Sequence, residues 1–159
     1  MVGPADTTDP FLLPVIPAAG GEPMSKFNGD IDTAQTQGKW VTFLFHSLLP
    51  GQNWYAGVDI GVVTGSIAHA KSLADVWIDT FANVGAYWIG QRTLQAVMPG
   101  APGGSTTWMW KLPAHFPPGR FLRVTVDGGT LGQNNTILAW DGHGYYEVAL
   151  DAGTLTWSP

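Results

Sequence analysis

Five prolines fall within the first 23 residues, at positions 4, 10, 14, 17 and 23. Each holds φ at about −65° and removes a backbone donor. Each also pushes the residue before it toward extended geometry. Glycines at 3, 20, 21, 29 and 38 share the stretch. This punctuation argues against a helix or a central strand over residues 1–38 and predicts an extended arm. The arm is not purely polar. Phe11, Leu12, Leu13, Val15 and Ile16 are sizeable apolar groups that want a groove. The groove can belong to the chain's own domain or to a neighbouring subunit, where extended segments add hydrogen bonds at a sheet edge.

From Lys39 onward the pattern reads mostly as strands. Lys39–Leu48, Trp54–Thr64 and Tyr87–Met98 are rich in aromatic and β-branched residues, which favour pleated structure. Thr106–Leu112 alternates Thr106, Trp108, Trp110 and Leu112 against Thr107, Met109 and Lys111. Arg120–Asp127 places Leu122, Val124 and Val126 on one face. Thr136–Trp140 and Tyr145–Leu150 flank Asp141-Gly142-His143-Gly144, the signature of a β-hairpin. Strands with turns between them predict an all-β fold: an antiparallel β-sandwich or jelly-roll-like domain over 39–159, preceded by the arm. One segment dissents. Leu73, Val76, Trp77, Thr80 and Phe81 follow helical spacing, which predicts a short helix over about 72–83, in competition with a strand.

Only 12% of the 159 residues are charged, about half of the roughly 25% usual in a soluble domain. Seven Lys and Arg, with no run of them and a net charge of −5, lack the clustered cations that phosphates need. No nucleic-acid partner is expected. No stretch approaches the roughly 20 apolar residues of a membrane span, and the N-terminus lacks the basic and apolar regions of a signal peptide. With no cysteine there is neither a disulfide framework nor a thiolate site.

Chemistry-bearing motifs are sparse. His46, His69, His115 and His143 show no metal spacing. Asn28-Gly29-Asp30-Ile31-Asp32 opens like a calcium loop, but Thr33 and Lys39 stand where that motif needs glycine and a bidentate glutamate. It reads better as an Asx-rich turn. Asp75 and Asp79 would share a helix face, more often a solvated face than an acid–base pair. Nucleophile elbows and phosphate loops are absent. No cofactor, metal or catalytic residue is assigned.

The aromatics carry the positive signal. Eight Trp residues, at about 150–250 Å² each, would crowd a small core already supplied with Val, Ile, Leu and Phe. The surplus belongs in a subunit interface or on a platform for sugar rings. Trp54, Tyr55, Trp108, Trp110, Trp140 and Tyr145 are the candidates.

Taken together, the Met1-Val2-Gly3-Pro4-Ala5-Asp6 opening, the prolines at 10, 14, 17 and 23 and the cysteine-free, Gly/Pro/Trp-rich β region from Trp40 to Trp157 resemble the accessory structural proteins of tailed-phage virions. These are capsid decoration (cement) proteins and small tail or fibre components. The resemblance is one of style and transfers no residue role. It implies a homo-oligomer, a trimer above all, attached to major shell subunits in the virion after assembly in the host cytoplasm. A carbohydrate-binding module is the alternative expectation.

Overall fold

A computed structural model describes residues 1–3, 5–7, 12–48, 57–98 and 104–159. The chain forms two compact units, Met1–Phe81 and Ala82–Pro159. The fold is mixed α/β, with three α-helices and three small sheets among the described residues. The expected all-β sandwich or jelly roll is therefore corrected.

In the first unit, β1 (Ile16–Pro17) pairs in parallel with β2 (Phe43–Leu44). Helices α1 (Met24–Thr36) and α2 (Ile60–Ser72) pack beside each other. The N-terminal segment is extended only in part, and along the chain's own residues 40–44. Val2 and Trp40 exchange backbone hydrogen bonds of 3.0 and 2.7 Å, and Ile16 and Ala18 donate to Thr42 and Leu44.

The proline rule fails beyond Pro23. That residue is extended (φ −75°, ψ 153°) and directly precedes α1, a position where proline suits a helix start. The next 13 residues contain no proline, and Phe27, Ile31 and Ala34 are buried on one face. Glu22 accepts the Ala19 N–H and pairs with Lys26, which holds its carboxyl below the usual range; the Lys26 contact is the larger cause. The calcium-like run lies inside α1, so Asn28, Asp30 and Asp32 point in different directions around a helix rather than converging.

Part of the Trp54–Thr64 region is also helical. Asp59 caps α2 by accepting the Gly61 N–H at 2.6 Å. A Cβ at Gly65 would run into the Met24 side chain, so glycine there permits close packing. Phe27, Val58 and Ala18 form this unit's core with Phe43, Phe45, Val62 and Val63.

The helix expected over 72–83 does not form. Helix α2 stops at Ser72 and α3 (Phe81–Val97) starts at Phe81. The apparent stripe straddles the non-helical linker. Gln35 of α1 donates to the Asp75 carboxylate at 2.6 Å, tying the linker's start to α1. Asp75 and Asp79 thus share no helix face. Tyr87–Met98, expected as a strand, is the C-terminal part of α3 as far as Val97. Aromatic and β-branched content misleads here, because α3 buries Gly85, Ala86, Trp88, Gly90 and Leu94 at helical intervals.

Beyond α3, the second unit has strands within the stretches expected at 106–112, 120–127 and 136–150, and also at Thr130–Gln133 and Thr154–Ser158. Its strands are β3 (Thr106–Met109), β4 (Phe121–Val124), β5 (Thr130–Gln133), β6 (Thr136–Ile137), β7 (Trp140–Asp141), β8 (Tyr145–Ala149) and β9 (Thr154–Ser158). One sheet has the order β3-β9-β5-β6 and the other β4-β8-β7. Every pairing in them is antiparallel. Residues 136–141 leave one sheet and enter the other. Leu122, Leu131, Tyr146, Val148 and Leu155 turn inward from the strands to meet Leu94, Trp110 and Leu150.

One buried polar side chain ties the sheets together. Gln133 of β5 is 6% exposed. Its amide nitrogen donates to the Ala149 and Thr154 carbonyls at 2.9 and 2.8 Å, and its amide oxygen accepts the Ala149 N–H at 2.8 Å. Just beyond it, Asn134 and Asn135 adopt φ of 51° and 61°, the two left-handed positions of a tight hairpin turn.

Candidate functional site

The best-organised surface cluster sits on the β7–β8 hairpin, where the sequence pattern expects a hairpin. The register sets Trp140 opposite Tyr146 and Asp141 opposite Tyr145. Alternation then sends Trp140 and Tyr145 to opposite faces of the ribbon. Trp140 meets Tyr146 edge to face, with centroids 4.9 Å apart, and stays 52% exposed.

On the other face, Tyr145 contacts two nitrogen-bearing planes. The Arg123 guanidinium lies over its ring at 4.6 Å from the centroid. The His143 imidazole stacks at 6.4 Å with planes 18° apart. Arg123 reaches this place because β4 pairs with β8 so that Arg123 faces Glu147, one diagonal step from Tyr145. Phe121, 51% exposed, belongs to the same outward row of β4.

The turn itself is held by Asp141. Its carboxylate accepts the His143 backbone N–H at 2.8 Å and contacts His143 Nδ1 at 2.7 Å. Its backbone carbonyl accepts the Gly144 N–H at 2.9 Å. The Nδ1 contact leaves His143 Nε2 toward solvent. The backbone bond from His143, and then its ring, hold the Asp141 carboxyl below the ordinary aspartate range. A carboxyl depressed in this way favours the closed turn above its unfolded-state pKa and loses that contribution as pH falls through the folded value. Acid titration followed by NMR should therefore show the His143 amide and ring signals moving together with Asp141 protonation, at lower pH than for a free aspartate. In Asp141→Asn that coupled step should vanish.

The other candidates from the sequence fall in different places. Trp110 is buried, and its indole N–H donates to the Leu150 carbonyl at 2.8 Å. Trp108 packs half-buried against the same core. Both indoles lie on the inward face of the β3 row, and Met109, 70% exposed, is on the outward one. Leu12 and Val15 are exposed at 75% and 41%, whereas Leu13 and Ile16 are half-buried. These four residues belong to the first unit and the aromatic cluster to the second. Phe11, Trp54 and Tyr55 lie outside the described residues. Local sequence pattern does not mark Arg123, Asp141 and His143 as site residues. The available signal was the i, i+2 spacing of Asp141 and His143 across a glycine, together with the alternation that makes Arg123 a neighbour of Tyr145.

Apolar exposure extends beyond the hairpin. Ile137 is 71% exposed, Trp77 52%, Ile60 51% and Phe81 49%. Among the described residues no three His, Asp or Glu side chains converge on a metal-sized point, and no helix is long and apolar enough to cross a membrane. No family model, curated protein or solved structure matches this chain.

Proposed function

We propose that this protein is a structural component that works by assembly, associating with copies of itself and with a larger shell. The observation that carries the reading is the set of large, exposed apolar side chains on both units of a charge-poor chain: Leu12, Met109, Ile137, Trp77 and Trp140 are each more than half exposed, with only 12% of residues charged. Exposed apolar area of that kind marks surfaces that become covered, and aromatic enrichment with charge depletion is the mark of interface centres. Within this proposal the protein is a virion accessory of the decoration type.

The test is the mass of the full chain in solution across concentration, together with attachment to purified shells. Association is expected to fall when exposed anchors become charged, as in Leu12→Asp with Val15→Asp. Deleting residues 1–25 is the poorer experiment, because Val2, Ile16 and Ala18 bond to the chain's own residues 40–44. A protein that stays monomeric at all concentrations and leaves shells bare would sink the reading.

A glycan-binding reading is favoured by one specific feature. The hairpin exposes the Trp140 indole on one face, a flat apolar ring of the kind sugar rings stack on, while Asp141, His143 and Arg123 surround Tyr145 on the opposite face. Quenching of tryptophan fluorescence by a polysaccharide, lost in Trp140→Ala, is the outcome that would favour it.

A further inference from the structure

We propose that the open edge of β3 is a self-association edge, pairing antiparallel with β3 of a second copy of this chain. The proposal rests on the assembly reading and assigns it a surface. Strand β3 ends the four-stranded sheet and has β9 on one side. Trp110, directly after β3, donates its N–H to Gly153 at 2.9 Å. Alternation along an antiparallel ladder then makes Trp108 and Thr106 the residues hydrogen-bonded to β9, opposite Leu155 and Trp157. Thr107 and Met109 therefore direct their backbone N–H and C=O groups away from β9. Among the described residues no strand lies on that side.

Sheet edges are normally protected by a charge, a proline or a bulge. Strand β3 reads Thr-Thr-Trp-Met and has none of these. The side chains select the register. A two-fold axis at Trp108 places Thr107 of each copy opposite Met109 of the other in the hydrogen-bonded pairs. It places Trp108 opposite Trp108 in the non-hydrogen-bonded pair, where Cα atoms approach to about 4.5 Å and side chains lie closest. Aromatic cross-strand pairs are among the most stabilising. Trp108 is half-buried on the core of its own unit, and a second indole would cover its open side. On the outer face the exposed Met109 would cover Thr107 of the copy. Lys111 would face Ser105 of the copy, so no like charges meet. The contact is isologous and closes as a dimer.

The experiment is sedimentation of the full chain at rising concentration, with hydrogen exchange read at the Thr107 and Met109 amides. The wild-type mass should climb from 17.0 kDa toward twice that value, and those two amides should slow in parallel. Thr107→Pro removes an N–H that β9 does not use, and proline is tolerated at such edge positions. It should remain near one chain mass at concentrations at least tenfold higher. Met109→Lys should do the same. Thr107→Glu combined with Met109→Lys should restore association, because each new carboxylate faces the partner's new ammonium only in this register. A wild-type chain that stays at one chain mass overturns this inference; the assembly reading falls with it only if purified shells also stay bare. An oligomer that neither Thr107→Pro nor Met109→Lys weakens overturns the β3 edge alone and leaves assembly to another surface. Should Thr107→Pro fold poorly, Met109→Lys and the amide exchange decide the matter without it.

Discussion

Replacing Gln133 with leucine is expected to lower the stability of the second unit by about 3 kcal/mol, because buried polar groups left without partners cost roughly 1–3 kcal/mol each. The side chain is 6% exposed and answers three backbone groups on two other segments: the N–H and C=O of Ala149 and the C=O of Thr154. Leucine fits the volume but answers none of them. In a unit of this size a loss of 3 kcal/mol corresponds to a fall in Tm of about 15 °C. Thermal unfolding followed by near-UV circular dichroism measures it. Gln133→Glu sharpens the test. A carboxylate keeps the shape but points negative oxygen at two carbonyls, so burial and those carbonyls should raise its folded-state pKa. Its penalty should therefore be largest at neutral pH and shrink as acid protonates the group. Equal Tm values for wild type and Gln133→Leu would show that the amide is dispensable.

Gly129→Ala is the second large effect. Gly129 has φ of +73°, and a Cβ there would land on the backbone carbonyl oxygen of Ser158 and within 2.6 Å of Trp157 Nε1. The neighbouring Gly128 has φ of +78° with nothing within 4 Å of its virtual Cβ. The two residues therefore separate conformational cost from collision. Gly128→Ala should cost about 1–2 kcal/mol, the usual penalty for a left-handed L-residue. Gly129→Ala carries that cost and must also displace the end of β9, so about 3 kcal/mol or more is expected, at the upper range of single-residue backbone strain. Paired urea unfolding of the two variants gives the difference directly. Comparable losses in both would mean that the β5–β9 junction yields easily.

The Asn134-Asn135 turn and the Asp141–His143 turn show how much of the second unit is local in origin. Both use short side chains or residues that tolerate positive φ. The second follows Thr136–Trp140 and precedes Tyr145–Leu150, runs whose β-rich composition is plain in the sequence. The inward row of Trp108 and Trp110, and that of Leu122 and Val124, can be read from residue type alone, because a strand has a period of two. The cluster on the β7–β8 hairpin is less legible. Tyr145 and Trp140 stand out as aromatics, but nothing local places Arg123 over Tyr145. That contact depends on the β4–β8 register.

The first unit and α3 are where local pattern misleads. Ile60–Thr64 and Tyr87–Val97 have the composition of strands, and they become helices because their small residues suit a packed helix surface. Gly65 accepts Met24 of α1, and Gly90 lies so close to Leu150 that a Cβ would stand 2.5 Å from its Cδ1. Which apolar face finds a partner is a long-range matter, and helix or strand follows from that choice more than from propensity. The stripe at 73–81 has the opposite history. Its spacing is helical, yet its start is held by Gln35 and its Trp77 and Phe81 remain exposed.

The sequence by itself determined the strand faces within 106–112 and 120–127, the hairpin at 140–146 and the low charge. Each of these depends on neighbours within a few positions, through alternation or composition. Tertiary structure alone decided that Pro23 starts a helix rather than ending an arm, that Trp110 is a core residue and Trp140 a surface one, and that Gln133 joins two sheets. Trp110 and Gln133 bond to partners 16 to 40 positions away, and only closing the chain on itself brings such groups within bonding distance.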